Sequence, residues 1–105
     1  MATKERTPIP RMVRIGNKQY SIEIVEAMLK KSWRGSVTYD QRRIHIARNS
    51  NVSGRKFNDQ EMQDTFWHEM THAILHDMGH SLHLNERFVN EFSTRLAKAI
   101  KTARF

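Results

Sequence analysis

Asn58-Asp59-Gln60-Glu61-Met62-Gln63-Asp64-Thr65-Phe66-Trp67-His68-Glu69-Met70-Thr71-His72-Ala73-Ile74-Leu75-His76-Asp77-Met78-Gly79 decides how this chain is read. Asn58 is a strong helix N-cap and Glu61, three residues on, completes the reciprocal pairing of a capping box. Gly79 suits the left-handed residue that ends a helix, so the spacing predicts a helix from Asn58 to about Met78. At about 100° per residue, Met62, Phe66, Met70 and Ala73 form one apolar stripe. His68 and His72 fall nearly opposite that stripe and one turn apart.

Downstream, a second helix is expected from near Asn85, with Phe88, Val89, Phe92, Leu96 and Ile100 on one face. Upstream, Met12-Val13-Arg14-Ile15 and Gln19-Tyr20-Ser21-Ile22 flank Gly16-Asn17 and read as two short strands around a tight turn. From Ser21 or Ile22, the apolar residues Ile24, Val25, Met28 and Leu29 recur at helical spacing with Gly35 beyond them, which predicts a helix. Ser36 to Tyr39, a turn at Asp40-Gln41-Arg42, and Arg43 to Ala47 read as a second hairpin. Asn49 to Lys56, rich in Asn, Ser and Gly, reads as a loop. The expected fold class is α+β: short N-terminal β-hairpins with one helix, then two longer helices. Residues 1–10 are expected to be a flexible lead-in and 11–105 a single domain.

The chain's 105 residues leave room for one core, and a composition 38% hydrophobic and 28% charged is that of a globular protein. No cysteine is present, so disulfides and thiolate metal sites are excluded. The absence of a signal-peptide run or about 18 consecutive apolar residues points to the cytoplasm and away from a membrane. The net charge is +7, spread over Lys4, Arg6, Arg11, Arg14, Lys18, Arg42, Arg43, Lys98, Lys101 and Arg104. Such a surface suits nucleic acid or an acidic partner but is ordinarily a solvated exterior.

The chemistry lies in His68-Glu69-Met70-Thr71-His72. Two imidazoles four residues apart on a helix reach one ion at roughly 2.0 to 2.1 Å. Glu69 projects to an adjacent side, where it is placed to take a proton from an activated water without being a ligand. His76 continues the row, but three ligands over two turns of a straight helix span about 12 Å, too far for one ion. It reads as a surface residue or a substrate contact. A longer pattern with a third histidine on the same segment is broken by Leu75 and Met78, which leaves Glu86 and Glu91 on the next helix as candidate third ligands. Glu86 sits at the border of that helix's apolar stripe and Glu91 points farther toward solvent, which favours Glu86.

Thr65 to Leu75, with Gly79 and Asn85-Glu86-Arg87-Phe88-Val89-Asn90, resembles the small metallopeptidase-like proteins of phages and prophages. These are related to ImmA/IrrE-type peptidases and, more remotely, to thermolysin-like gluzincins. The resemblance implies a zincin-like domain, Zn2+ on His68, His72 and Glu86, and Glu69 as general base. It also implies that Ile44 to Ala47 is an exposed edge strand that binds an extended peptide, the other reading being an ordinary sheet strand. Related proteins often carry an acidic residue four positions after the ligand glutamate. Here Asn90 stands there, able to accept an imidazole N–H but adding no negative charge.

The expected function is therefore zinc-dependent hydrolysis of a peptide or protein substrate. Tyr39, His76, His80 and His83 are candidates for an extra donor to the developing oxyanion. Two rival readings are a non-catalytic zinc module that grips a host protein and a protease associated with DNA. As packing, Trp33 and Trp67 are expected at the core or its edge, and the six methionines as core filler. Tyr39 is expected as half-buried strand packing, and His80 and His83 as solvated loop residues.

Overall fold

The computed structural model describes residues 9–105. Residues 1–8 of the expected lead-in lie outside the described residues, and Ile9, its last apolar residue, packs against the core. Four strands come first: β1 (Met12–Ile15), β2 (Lys18–Val25), β3 (Gly35–Thr38) and β4 (Arg43–Ala47). Two helices follow, α1 (Asp59–Asp77) and α2 (Glu86–Thr102), joined through a short 3₁₀ turn at Ser81–Leu84. The result is a compact α+β domain with one mixed sheet.

The sheet order is β1-β2-β4-β3. β1 and β2 pair antiparallel with Met12 opposite Ser21 and Ile15 opposite Lys18, turning at Gly16, whose φ of 60° suits a residue without a Cβ. β3 and β4 also pair antiparallel, Gly35 opposite Ile46 and Thr38 opposite Arg43. Both hairpins thus form where the alternation placed them. They join through a parallel pairing of β2 with β4, Ile22 opposite Ile44 and Val25 opposite Ala47.

One face of the sheet buries Ile15, Tyr20, Ile22, Ile44 and Ile46 against the Met62, Phe66, Met70, Ala73 stripe of α1. The period of 2 in the strands and of 3.6 in the helix meet across a single core. At roughly 25 cal/mol per Å² this burial is the main favourable term in folding. Asn58 accepts from the Glu61 amide at 2.8 Å while the Glu61 carboxylate accepts from the Asn58 amide at 3.0 Å, so the capping box is complete. At the other end, the Gly79 amide donates to the His76 carbonyl and the His80 amide to the Leu75 carbonyl, the paired bonds of a Schellman cap, with Gly79 at φ 67°. This reversal sends the chain back along α1.

Several expectations need correction. No helix begins at Ser21 or Ile22; β2 continues to Val25 and residues 26–34 make turns and bends. Ile22 and Ile24 belong to a period of 2 that starts at Tyr20, and two flanking strands supply the backbone partners. Carbonyls that a helix would have used are taken by Asn51, whose amide donates to Met28 and Lys30 at 2.7 Å each. β4 is not an exposed edge: it lies between β2 and β3, and β3 is the edge on that side. Trp33 is not core but 46% exposed, whereas Trp67 is partly buried against the core. Met62 and Met70 fill the core as expected, but Met12 and Met78 are exposed.

α2 is also rolled from its expected orientation. Val89, Ser93 and Ala97 are its buried residues, while Phe92 and Ile100 are exposed. The helix turns its small and polar side toward α1, and that side carries Glu86 and Asn90.

Candidate metal centre

His68 and His72 project from the side of α1 that faces α2, and Glu86 reaches them from the first turn of α2. Asn85 sets that turn by accepting from the Phe88 amide at 3.0 Å, and a carboxylate there sits favourably at the positive end of the helix dipole. One Glu86 oxygen lies 2.6 Å from His72 Nε2 and the other 3.3 Å from His68 Nε2. One ligand atom from each of the three residues lies within 4.8 Å of the other two, and no other group of three such residues occurs among the described residues.

The donor set fits a tetrahedral cation. His72 Nδ1–H donates to the His83 carbonyl at 2.7 Å, which fixes the tautomer and turns the Nε2 lone pair toward the Glu86 carboxylate. A lone pair and an anion at such a distance require a proton or a cation between them. Ligand atoms around a zinc ion stand about 3.3 Å apart, given bonds near 2.0 Å. The His68 pair has that spacing already, and the Glu86 side chain is exposed, so it has room to withdraw the roughly 0.7 Å the other contact needs. Burial, partly offset by Glu86, lowers the pKa of His68 and favours the neutral ring that ligates metals. Asn90, one turn beyond Glu86, hydrogen-bonds the same ring.

Glu69 lies beside the ligands without joining them and is 7% exposed. Burial, with a smaller push from the Glu86 charge, raises its pKa to about 8. Its seat depends on Gly35. A Cβ there would meet Thr65 Cγ2 at 2.7 Å and the His45 carbonyl at 2.8 Å, and would press on Glu69 Cγ at 3.3 Å. Glycine lets β3 and α1 approach closely enough for Glu69 to form the wall of a cleft of about 680 Å³ that also contains His68, His72 and Glu86.

No protein-family model, curated protein or solved structure matches the chain.

The remaining candidates separate by position. Glu91 pairs with Arg87 at 3.0 Å on the surface. His76 is exposed, as expected of a surface residue, stacks on Tyr39 with ring centroids 3.7 Å apart, and is not part of the ligand group. Tyr39 lines the cleft, half-buried, and burial followed by the Glu69 charge raises its pKa. His80 accepts from the Leu82 amide at the start of the 3₁₀ turn. His83 is not a solvated loop residue: it lines the cleft, and its buried Nδ1 has no hydrogen-bond partner among the described residues.

Sequence reasoning missed the His83 carbonyl and Gly35. A main-chain acceptor leaves no trace in residue type. In the sequence Gly35 reads as a helix stop, although a glycine opening a strand is also a signal of close backbone approach.

Proposed function

We propose that this chain is a zinc-dependent peptide hydrolase in which His68, His72 and Glu86 hold the metal and Glu69 is the general base. The observation that carries the reading is the convergence of two imidazoles and a carboxylate on one point, with a further carboxyl group beside them on the wall of an open cleft. The similarity of the His68 to His72 and Asn85-Glu86 segments to phage and prophage metallopeptidase-like proteins supports it. Zinc, when bound, would polarise the scissile carbonyl and acidify a water molecule.

The residues divide the remaining work. Glu69 takes a proton from the attacking water and returns it to the leaving amine, a role that requires its ionised form at the start. Positive charge held by its three neighbours favours that form against the burial that opposes it. The His83 carbonyl orients His72, and Asn90 orients His68 as a neutral acceptor, giving its imidazole less basicity than a carboxylate would. Of the candidate donors to a developing oxyanion, Tyr39 and His83 line the cleft.

The test is digestion of a mixed peptide pool by wild type and Glu69→Gln, with zinc content measured for both. Glu69→Gln is expected to keep its zinc and lose at least about 100-fold in cleavage rate. Equal rates in two zinc-loaded proteins, or no cleavage by either, would favour a zinc module without hydrolytic activity.

A further inference from the structure

We propose that the cleft selects peptides carrying a lysine or arginine side chain within about two residues of the bond it cuts, read by Asp64 and Trp33. This rests on the hydrolase reading and adds the substrate class. Four carboxyl groups, Glu61, Asp64, Glu69 and Glu86, and one guanidinium, Arg34, line the cleft in a chain whose net charge is +7. These charges are of both signs, and a bound zinc ion would add two positive ones, so recognition of a cation falls to a carboxylate that no neighbouring cation neutralises.

The carboxylates are not equivalent. Glu86 belongs to the ligand set and Glu69 is the proposed base. Glu61 is held by Arg55 at 2.7 Å and approached by Arg34 at 3.7 Å. The same two guanidiniums lie over the Phe57 ring, so Glu61 is already matched by cations of the protein itself. Asp64 is left. Within the described residues its carboxylate meets the Gln60 amide at 2.9 Å and no lysine or arginine.

Asp64 precedes His68 by four residues, so it lies on the same side of α1 and about 6 Å along its axis from the ligand. An extended peptide advances about 3.3 Å per residue, which sets the two-residue range. Trp33 adds a second element of recognition. Trp33 lines the cleft and is 46% exposed, and Lys30 Nζ already lies 4.7 Å over its ring, so the ring is one that receives an ammonium group. A long aliphatic stem laid on indole with its charged tip at a carboxylate describes lysine or arginine, and no acidic or short apolar side chain satisfies both contacts.

The experiment measures, by fluorescence anisotropy, binding of three labelled octapeptides identical except for one central residue, lysine, norleucine or glutamate, to zinc-loaded Glu69→Gln protein. The lysine peptide is expected to bind about 3- to 30-fold tighter than norleucine, the sum of an exposed ion pair and a cation–π contact, with glutamate weakest. Asp64→Asn and Trp33→Ala should each cut that preference by about 2- to 5-fold, the share of one contact, and added salt should shrink it. Asp64 is exposed, so its variant carries the test alone should circular dichroism show Trp33→Ala misfolded. Equal affinity for lysine and norleucine, a preference undiminished by Asp64→Asn, or binding of none of the three overturns the proposal. Cleavage of the same peptides by wild type separates the two readings: cutting without lysine preference sinks only the specificity, and lysine preference without cutting sinks only the hydrolase.

Discussion

Glu69 shows how a single residue is set by surroundings that its neighbours in sequence do not reveal. Its carboxyl is nearly enclosed by α1, β3 and the ligand residues, and its pKa stands raised from 4.5 to about 8. For an acid whose folded value exceeds its unfolded value, stability is full below about 4.5 and declines as pH rises toward 8, because the unfolded chain releases the proton more readily. Zinc-free protein is therefore expected to lose stability between pH 5 and 8, by at most about 4 to 5 kcal/mol. Glu69→Gln should flatten that decline and be the more stable protein at pH 8. Urea unfolding of both zinc-free proteins across this range checks it, and parallel pH profiles would show that Glu69 is ionised or solvated in the folded state. The residue type and its place in His68 to His72 were plain in the sequence. The degree of enclosure was not, because it depends on Gly35, thirty-four positions away.

Among the elements, α1 was the most legible, since every signal for it is local: the cap, the apolar stripe, the two histidines and the terminal glycine. Its cap also gives a direct test. Asn58→Ala removes the acceptor for the Glu61 amide and should cost about 1 kcal/mol, lowering Tm by roughly 4 to 8 °C, while leaving the spacing of His68 and His72 intact. Thermal unfolding measures it, and an unchanged Tm would mean that Arg55 and Glu61 hold the first turn without Asn58. The second half of β2 was illegible for the opposite reason. Ile24, Val25, Met28 and Leu29 satisfy a helical period, and the choice between helix and strand is made by β4 and by Asn51, both distant in sequence. The parallel register of β2 and β4 likewise has no local signature. In α2 the helix and its start were legible but its roll was not: the apolar stripe pointed to Phe92 and Leu96, whereas the buried side centres on Ser93, because Glu86 and Asn90 must face α1.

At the scale of the molecule, α2 is held from one side only. Among the described residues it packs on α1 and the 3₁₀ turn and on no strand, and it buries only Val89, Ser93 and Ala97. Phe88 and Phe92 stack on each other, and Phe92 remains 49% exposed. An element with so little buried apolar area belongs to the low end of local stability, and it nonetheless supplies Glu86. A cation shared by His68, His72 and Glu86 would therefore bridge α2 to α1, and its binding energy would act on that interface. Zinc at 100 times its Kd should stabilise the protein by about 2.7 kcal/mol, roughly 10 to 20 °C in Tm. The gain in amide-exchange protection should fall mainly on 86–102 and much less on β2 and β4. His72→Ala and Glu86→Ala should abolish both effects, and of the two Glu86→Ala should disturb the metal-free protein less, since its side chain is exposed and His72 is buried. Exchange measured with and without zinc decides the point: protection spread evenly over sheet and helices, or retained in Glu86→Ala, would mean that the metal does not join α2 to α1.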